Sequence, residues 1–334
     1  MAPATIAASI GVLRFIGRLA RGYALLLDAK LTHLSSLLLN MDSASHSQAA
    51  LKPEQSSRLG LLIRRLALVG VTMMLLAVVS AYLRLSGAGI GCTPWPACYQ
   101  EQSLAPSHDH HPVARFAHRL LASGLGVVVI MIVSVSIWMR PRRGTILWTS
   151  LALLLLTVLL AGLGRVTPAA AGPGIALANL LGGVAMAALL WWLATQAKLE
   201  SGQRRETLRW PAAAIVALLL LQVSLGALIS TTRSAATCAS LPVCESSVSE
   251  ASVALHIAHR ATAVALLIAA GALARALLRR NDRAPLGWTL AALVAAQIGL
   301  GVAMVVLKFP LWLALAHHAG ALLLLLVAVS VLAG

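Results

Sequence analysis

Three histidines stand inside stretches that are otherwise apolar: His118 in "RFAHRLLA" (115–122), His259 in "HIAHRATA" (256–263) and His317 in "ALAHHAGA" (314–321). An imidazole in hydrocarbon is costly unless it finds a partner, which is either a polar group on a neighbouring helix or a metal. The shared Ala-His-Arg sets His118 opposite His259. "ALANLLGG" (176–183) aligns with "ALAHHAGA" and sets Asn179 opposite His317. All four positions fall about six residues inside apolar runs, roughly 6–10 Å deep if the runs are helical. Two imidazoles at one depth on facing helices can clamp a planar cofactor by its metal. Haem fits, with axial histidines on iron and apolar helices over the macrocycle. Arg119 and Arg260 directly follow their histidines. Each suits a bidentate grip on a haem propionate, and each equally suits a snorkelling interfacial position. His256, one turn before His259, reads as a packing residue. His318 points about 100° away from His317, so the two cannot face one iron.

The elements that must carry these groups follow from composition. The chain has 334 residues, 59% hydrophobic and 11% charged. Apolar runs of about 20 residues suffice to cross a bilayer core. Eight such spans are expected at about 61–83, 113–139, 145–164, 175–197, 211–230, 253–274, 285–307 and 311–332. The fold class expected is therefore an all-α integral membrane protein made of two parallel four-helix bundles related by pseudo-symmetry. The N-terminal half occupies 61–197 and the C-terminal half 211–332. An even number of spans per half lets the halves run parallel. Residues 1–60 fit neither repeat. Arg14, Arg18 and Arg21 line one helical face there. The expectation is a cytoplasmic extension of doubtful structure. Met41 offers an alternative start, and a surface-lying amphipathic helix or an organelle transit peptide are the other readings.

Charge gives the orientation. The tail through Arg65 and the basic turns at 140–143, 198–209 and 275–283 hold 19 of the 26 lysines and arginines. By the positive-inside rule both termini are cytoplasmic. The four cysteines then face outward, in "GCTPWPACY" (91–99) and "TCASLPVCE" (237–245). Thiols facing an oxidising compartment pair, so Cys92–Cys98 and Cys238–Cys244 are expected disulfides in a bacterial periplasm.

Several functions are excluded or weakened. The net charge of +16 sits in short loops without interleaved aromatics, so no nucleic acid is expected as a partner. All ten acidic residues lie outside the spans, which argues against a proton pump or cation transporter. "HDHH" (108–111) has metal-binding residue types but reads as a solvated loop. Gly87, Gly89 and Gly91 read as a turn and not as a phosphate cradle. Outward cysteine pairs in a helical bundle also suit a thiol–quinone oxidoreductase, though such an enzyme needs no matched histidine set.

The layout together with "LRLSGAGIGCTPWPAC" (83–98), "AHRLLA" (117–122), "AHRATA" (258–263) and "LAHHAGALLLL" (315–325) resembles the haem A synthase family over about residues 60–334. The resemblance implies a haem b held by His259 and His317 in the C-terminal half. It also implies that haem O binds in the N-terminal half, where a ring methyl is oxidised to the formyl of haem A for cytochrome oxidase assembly. His118, Asn179 and Arg115 then occupy the catalytic positions, with His118 a further iron ligand. The first cysteine pair is implicated in handling substrate or redox state, and the second is structural. A haem O synthase, the lipid bilayer and an unidentified electron acceptor are the implied partners, with room for a homo-oligomer.

Two residues depart from the family pattern. Position 179 is usually histidine and here is Asn179. Position 115 usually carries a glutamate on the face of His118 and here is Arg115. A guanidinium, always charged, cannot take protons as a base. Asp109 or Glu101 from the loop is the candidate replacement. The alternative is a non-enzymatic haem-binding assembly protein that has lost catalysis.

Overall fold

The computed structural model describes residues 53–73, 75–87, 112–139, 144–166, 172–198, 208–241, 244 and 249–334. The described residues are helical apart from short turns. In chain order the helices are α1 (Pro53–Met73), α2 (Leu75–Gly87), α3 (Pro112–Trp138), α4 (Gly144–Val166), α5 (Pro173–Lys198), α6 (Arg209–Thr231), α7 (Glu250–Leu278), α8 (Ala284–Val306) and α9 (Leu311–Ala333). Among the described residues, eight spans are long and apolar enough to cross a membrane, the first of them Arg58–Ser86 across α1 and α2. The protein is thus a multi-pass membrane protein, and each span lies within a few residues of its expected place. The first helix already begins at Pro53, before the apolar run itself.

Local chemistry explains the starts. A proline stands in the first turn of α1, α3, α5, α6 and α8, where its missing N–H leaves no hydrogen bond unmade. The start of α7 is capped by Ser249, whose side chain accepts from the Ser252 N–H. The turn from α8 to α9 is tight. Lys308 and Phe309 both adopt left-handed backbone, with φ of 61° and 57°. That conformation costs about 1–2 kcal/mol for a side-chain-bearing residue. Phe309 offsets it by burying its ring and donating its N–H to the Met304 carbonyl at 2.7 Å.

The helices close two rings. In the first, α1 packs on α3 and α5, and α4 packs on both α3 and α5. In the second, α6 packs on α7 and α9, and α8 packs on both α7 and α9. Each ring therefore places its second and fourth spans on a diagonal: α3 with α5, and α7 with α9. Ile63, Ile132, Leu153 and Leu190 centre one core, and Ile215, Leu277, Leu290 and Leu324 the other. The rings meet where α5 packs on α6 and α9 and where α2 packs on α9. The Trp191 indole donates to Ser330 Oγ across that seam at 2.7 Å. A third cluster, Ala81, Leu85, Ile229, Ala235 and Phe309, seals the seam at the end where the second cysteine loop lies.

Five exposed tryptophans mark the water–lipid boundaries. Trp138, Trp148, Trp210 and Trp288 stand at helix ends beside the basic turns, and Trp312 stands at the opposite end. Indoles prefer that interfacial level.

One close approach is set by a glycine. A Cβ on Gly287 of α8 would lie 3.0 Å from the Ala274 carbonyl oxygen and 3.1 Å from the Leu278 nitrogen of α7. Backbone cannot yield as a side chain can. We expect Gly287→Val to cost about 1–3 kcal/mol and to lower the apparent melting temperature in detergent. Gly271→Ala, with no neighbour within 4 Å, should leave it unchanged or raised.

Candidate haem-binding site

The second ring assembles a polar centre from its four helices. His259 comes from α7 and His317 from α9, the diagonal pair. Gln222 of α6 lies with its Nε2 3.2 Å from His259 Nε2. One turn further along α6, Gly226 faces the same ring; a Cβ there would lie 3.2 Å from His259 Cε1. The arrangement repeats on α8, where Gly301 faces His317 and a Cβ would lie 3.6 Å from its Cε1. Gln297, one turn before Gly301, presses against Gly320, one turn beyond His317. Each imidazole thus faces a glycine on the neighbouring helix, and a glutamine stands one turn away from that glycine.

Their polar atoms are left over. His259 Nδ1, His317 Nδ1 and Gln222 Oε1 are sealed from solvent without a hydrogen-bond partner. Buried polar atoms in a native fold are nearly always satisfied, so this cluster asks for a ligand. An iron porphyrin suits the donor set: two neutral imidazoles on diagonal helices, with glycines where side chains would otherwise fill the space.

Other expected site residues fall differently. His256 is buried, and its Nε2 lies 2.9 Å from the Ser234 carbonyl, so it ties α7 to the turn after α6. Arg260 turns to the cysteine loop, donating to the Cys238 and Ser240 carbonyls at 3.2 and 2.8 Å. The sulfurs of Cys238 and Cys244 lie at bonding distance, with Cα atoms 4.7 Å apart. His318 lies on another face of α9 from His317, and its Nε2 is sealed without a partner.

In the first ring, His118 on α3 and Asn179 on α5 occupy the diagonal, and both are half-buried. Arg115 and Arg119 are exposed. Gly182, one turn beyond Asn179, packs on Leu160 of α4, whereas its counterpart Gly320 packs on Gln297. The first ring thus carries an amide and a leucine where the second carries an imidazole and a glutamine. Cys92, Cys98, Glu101, Asp109 and "HDHH" lie outside the described residues, as does the tail through residue 52.

The site residues not named from sequence are Gln222, Gln297, Gly226 and Gly301. A signal was present: "QVSLG" (222–226) and "QIGLG" (297–301) repeat a Gln-x-x-x-Gly spacing in two spans. An amide inside a span asks for a partner as an imidazole does.

A multi-pass helical membrane protein with histidines paired inside one ring is the class that fold and site define. Comparison with known proteins narrows it. Residues 64–329 match the family described as cytochrome oxidase assembly protein (COX15-CtaA), and the chain belongs to that family. Similar proteins include the heme A synthase of Shewanella oneidensis, 29% identical over 307 residues, covering 78% of this chain and 92% of that one. The heme A synthase of Rhizorhabdus wittichii is 26% identical over 322 residues, covering 81% and 92% respectively. That of Bacillus licheniformis is 26% identical over 267 residues, covering 74% and 87%.

The His256 contact generates a stability test. His256→Phe keeps an aromatic ring but removes the Nε2 contact, leaving the Ser234 carbonyl with the Thr237 N–H alone. The expected cost is about 0.5–1.5 kcal/mol, read as a lower apparent melting temperature. His256→Ala should cost at least as much.

Proposed function

We propose that this protein oxidises a ring methyl of haem O to the formyl group of haem A for cytochrome oxidase assembly, with a haem b held in the second ring by His259 and His317. The observation that carries the reading is the pair of imidazoles on diagonal helices, each facing a glycine and each with its Nδ1 sealed from solvent without a partner. Haem b, when bound there, supplies a reversible one-electron carrier. The protein's own groups do the rest. Gln222 fixes the ring plane of His259, and Gly226 and Gly301 keep the space beside the imidazoles open. The surrounding leucines and valines exclude water from the site. The names of the similar proteins support the substrate.

In this reading the first ring receives haem O, with His118 facing the substrate iron and Asn179 opposite it. An amide is a weaker iron ligand than imidazole, so the substrate iron is left with one strong axial ligand. Arg115 and Arg119 sit at the mouth of the ring, where they suit the substrate's propionates. Turning a methyl into a formyl also takes in an oxygen atom; with water as its source, four protons are released and four electrons pass to a separate acceptor. Arg115 cannot accept those protons, so a loop carboxylate, Asp109 or Glu101, is the acceptor proposed. Arg260 reaches a propionate of haem b only by releasing the Cys238 and Ser240 carbonyls. The basic turns lie in the cytoplasm and the cysteine loops in the periplasm of a bacterial inner membrane, with Cys92–Cys98 and Cys238–Cys244 as disulfides. The two rings act as two halves around a pseudo-two-fold axis. A haem O synthase delivers the substrate, and a separate acceptor removes the electrons.

A second reading is favoured by Asn179 and Arg115 specifically. A chain lacking both a second axial imidazole and a proton acceptor at these positions would hold haem without converting it, as an assembly protein.

Expression in a strain that makes haem O but lacks its synthase separates the two. Haem A in extracted pigment is expected with the wild-type chain, and at background level with His259→Ala or His317→Ala. Haem b bound with no haem A formed would establish the second reading. Both alanine variants should also lose the six-coordinate low-spin absorption bands of the purified protein.

A further inference from the structure

Arg84 has no role in the site above, yet it is the cation set deepest in the seam between the rings. It lies on α2 one turn after Ala81 and beside Leu85, two residues buried in the seam cluster against Ile229 and Phe309. Its guanidinium donates to Ser230 Oγ of α6. Ser230 is itself buried, and its hydroxyl donates back to the Ala227 carbonyl at 2.9 Å. Across the seam, Ala314 and Leu315 of α9 pack on the same cluster, and His318 follows them by one turn on that face. The His318 Nε2 is sealed without a partner.

No anion answers this cation within the described residues. The acids with described side chains there, Glu250 and Asp282, stand at the start of α7 and in the α7–α8 turn, and the Arg84 guanidinium bonds instead to Ser230. A guanidinium has five N–H donors, and a hydroxyl satisfies one. Holding an arginine in a low-dielectric seam without a counter-charge is unfavourable, whereas the same geometry with a carboxylate gives paired, charge-assisted hydrogen bonds. The neighbouring residue on α9 is His317. A carboxylate carried on a porphyrin gripped at His317 therefore lies close to this seam. Arg84 and Ser230 lie near the cysteine-loop ends of α2 and α6, the end at which the polar edge of such a porphyrin meets water.

We propose that Arg84, Ser230 and His318 form a seat for a haem propionate carboxylate at the seam between α2, α6 and α9. This rests on the haem reading above and adds a ligand group to it. The carboxylate comes from the second-ring porphyrin or from the first-ring porphyrin, since α9 borders both. The seat makes haem occupancy a bond between the rings: filling it ties α2 of the first to α9 of the second.

The test titrates full-length protein, produced in haem-deficient cells, with iron protoporphyrin IX and with its dimethyl ester. The dicarboxylate should bind the wild type at least about tenfold more tightly. Arg84→Gln should shrink that preference to within about twofold, and His318→Phe should reduce it. A second arm loads the protein with haem b, then titrates haem O and its dimethyl ester. Loss of preference in the first arm alone assigns the carboxylate to the second-ring porphyrin, and in the second arm alone to the first-ring porphyrin; either outcome supports the seat. An undiminished preference in both arms overturns it. His318→Phe, judged monodisperse by gel filtration, decides if Arg84→Gln does not fold. His317→Ala is the separate control: a wild-type low-spin spectrum in that variant would sink the haem reading itself, whatever Arg84 does.

Discussion

The organising constraint is that a polar side chain inside a bilayer must be satisfied by the protein or by what the protein holds. Water is not there to do it, and a lone imidazole or amide in hydrocarbon is a direct loss. The second ring contains four such groups at one level: Gln222, His259, Gln297 and His317. Packing them against one another does not exhaust them, because Nδ1 of both imidazoles and Oε1 of Gln222 remain without partners. The glycines beside the rings show that the shortage is not one of room. A Cβ at Gly226 would press on His259, and one at Gly301 would come into ordinary contact with His317. The centre is thus polar, only partly satisfied by its own side chains, and flanked by glycines.

The same constraint reads out the difference between the rings. Where α9 carries His317 and packs Gly320 on Gln297, α5 carries Asn179 and packs Gly182 on Leu160. The glycine is retained and the polar partner is exchanged for an apolar one. The first ring is thus satisfied as a packed bundle, with the buried hydroxyls of Ser136 and Ser150 joined at 2.8 Å between α3 and α4. Its polar groups at the diagonal are one imidazole and one amide. That is a weaker demand for a tightly ligated metal, and it suits a group that enters and leaves.

Much of this was legible in the sequence, for reasons that differ by element. The spans were readable because length and apolarity are one-dimensional properties, and eight of them stand where hydropathy puts them. His259 and His317 were readable because an ionisable residue in a greasy run is conspicuous. Gln222 and Gln297 were passed over because attention to titratable groups leaves out the amide, whose burial is just as demanding. The partners of Arg260 were beyond reach. The sequence places it beside His259, but only the path of the chain after α6 brings the Cys238 and Ser240 carbonyls under its guanidinium. The left-handed pair Lys308–Phe309 was equally hidden, since nothing local favours that backbone and the burial of the Phe309 ring is what offsets it.

Fold and chemistry can therefore part company in this chain. The first ring keeps its core through Ile63, Ile132, Leu153 and Leu190, a buried cluster that includes neither position 179 nor position 115. A bundle so packed survives the exchange of histidine for asparagine without loss of shape. The retained helical architecture is thus no argument that the first ring still performs a reaction. What decides the matter is where protons go. Arg115 stands exposed on the turn before His118, and a guanidinium offers no lone pair to take a proton as a base.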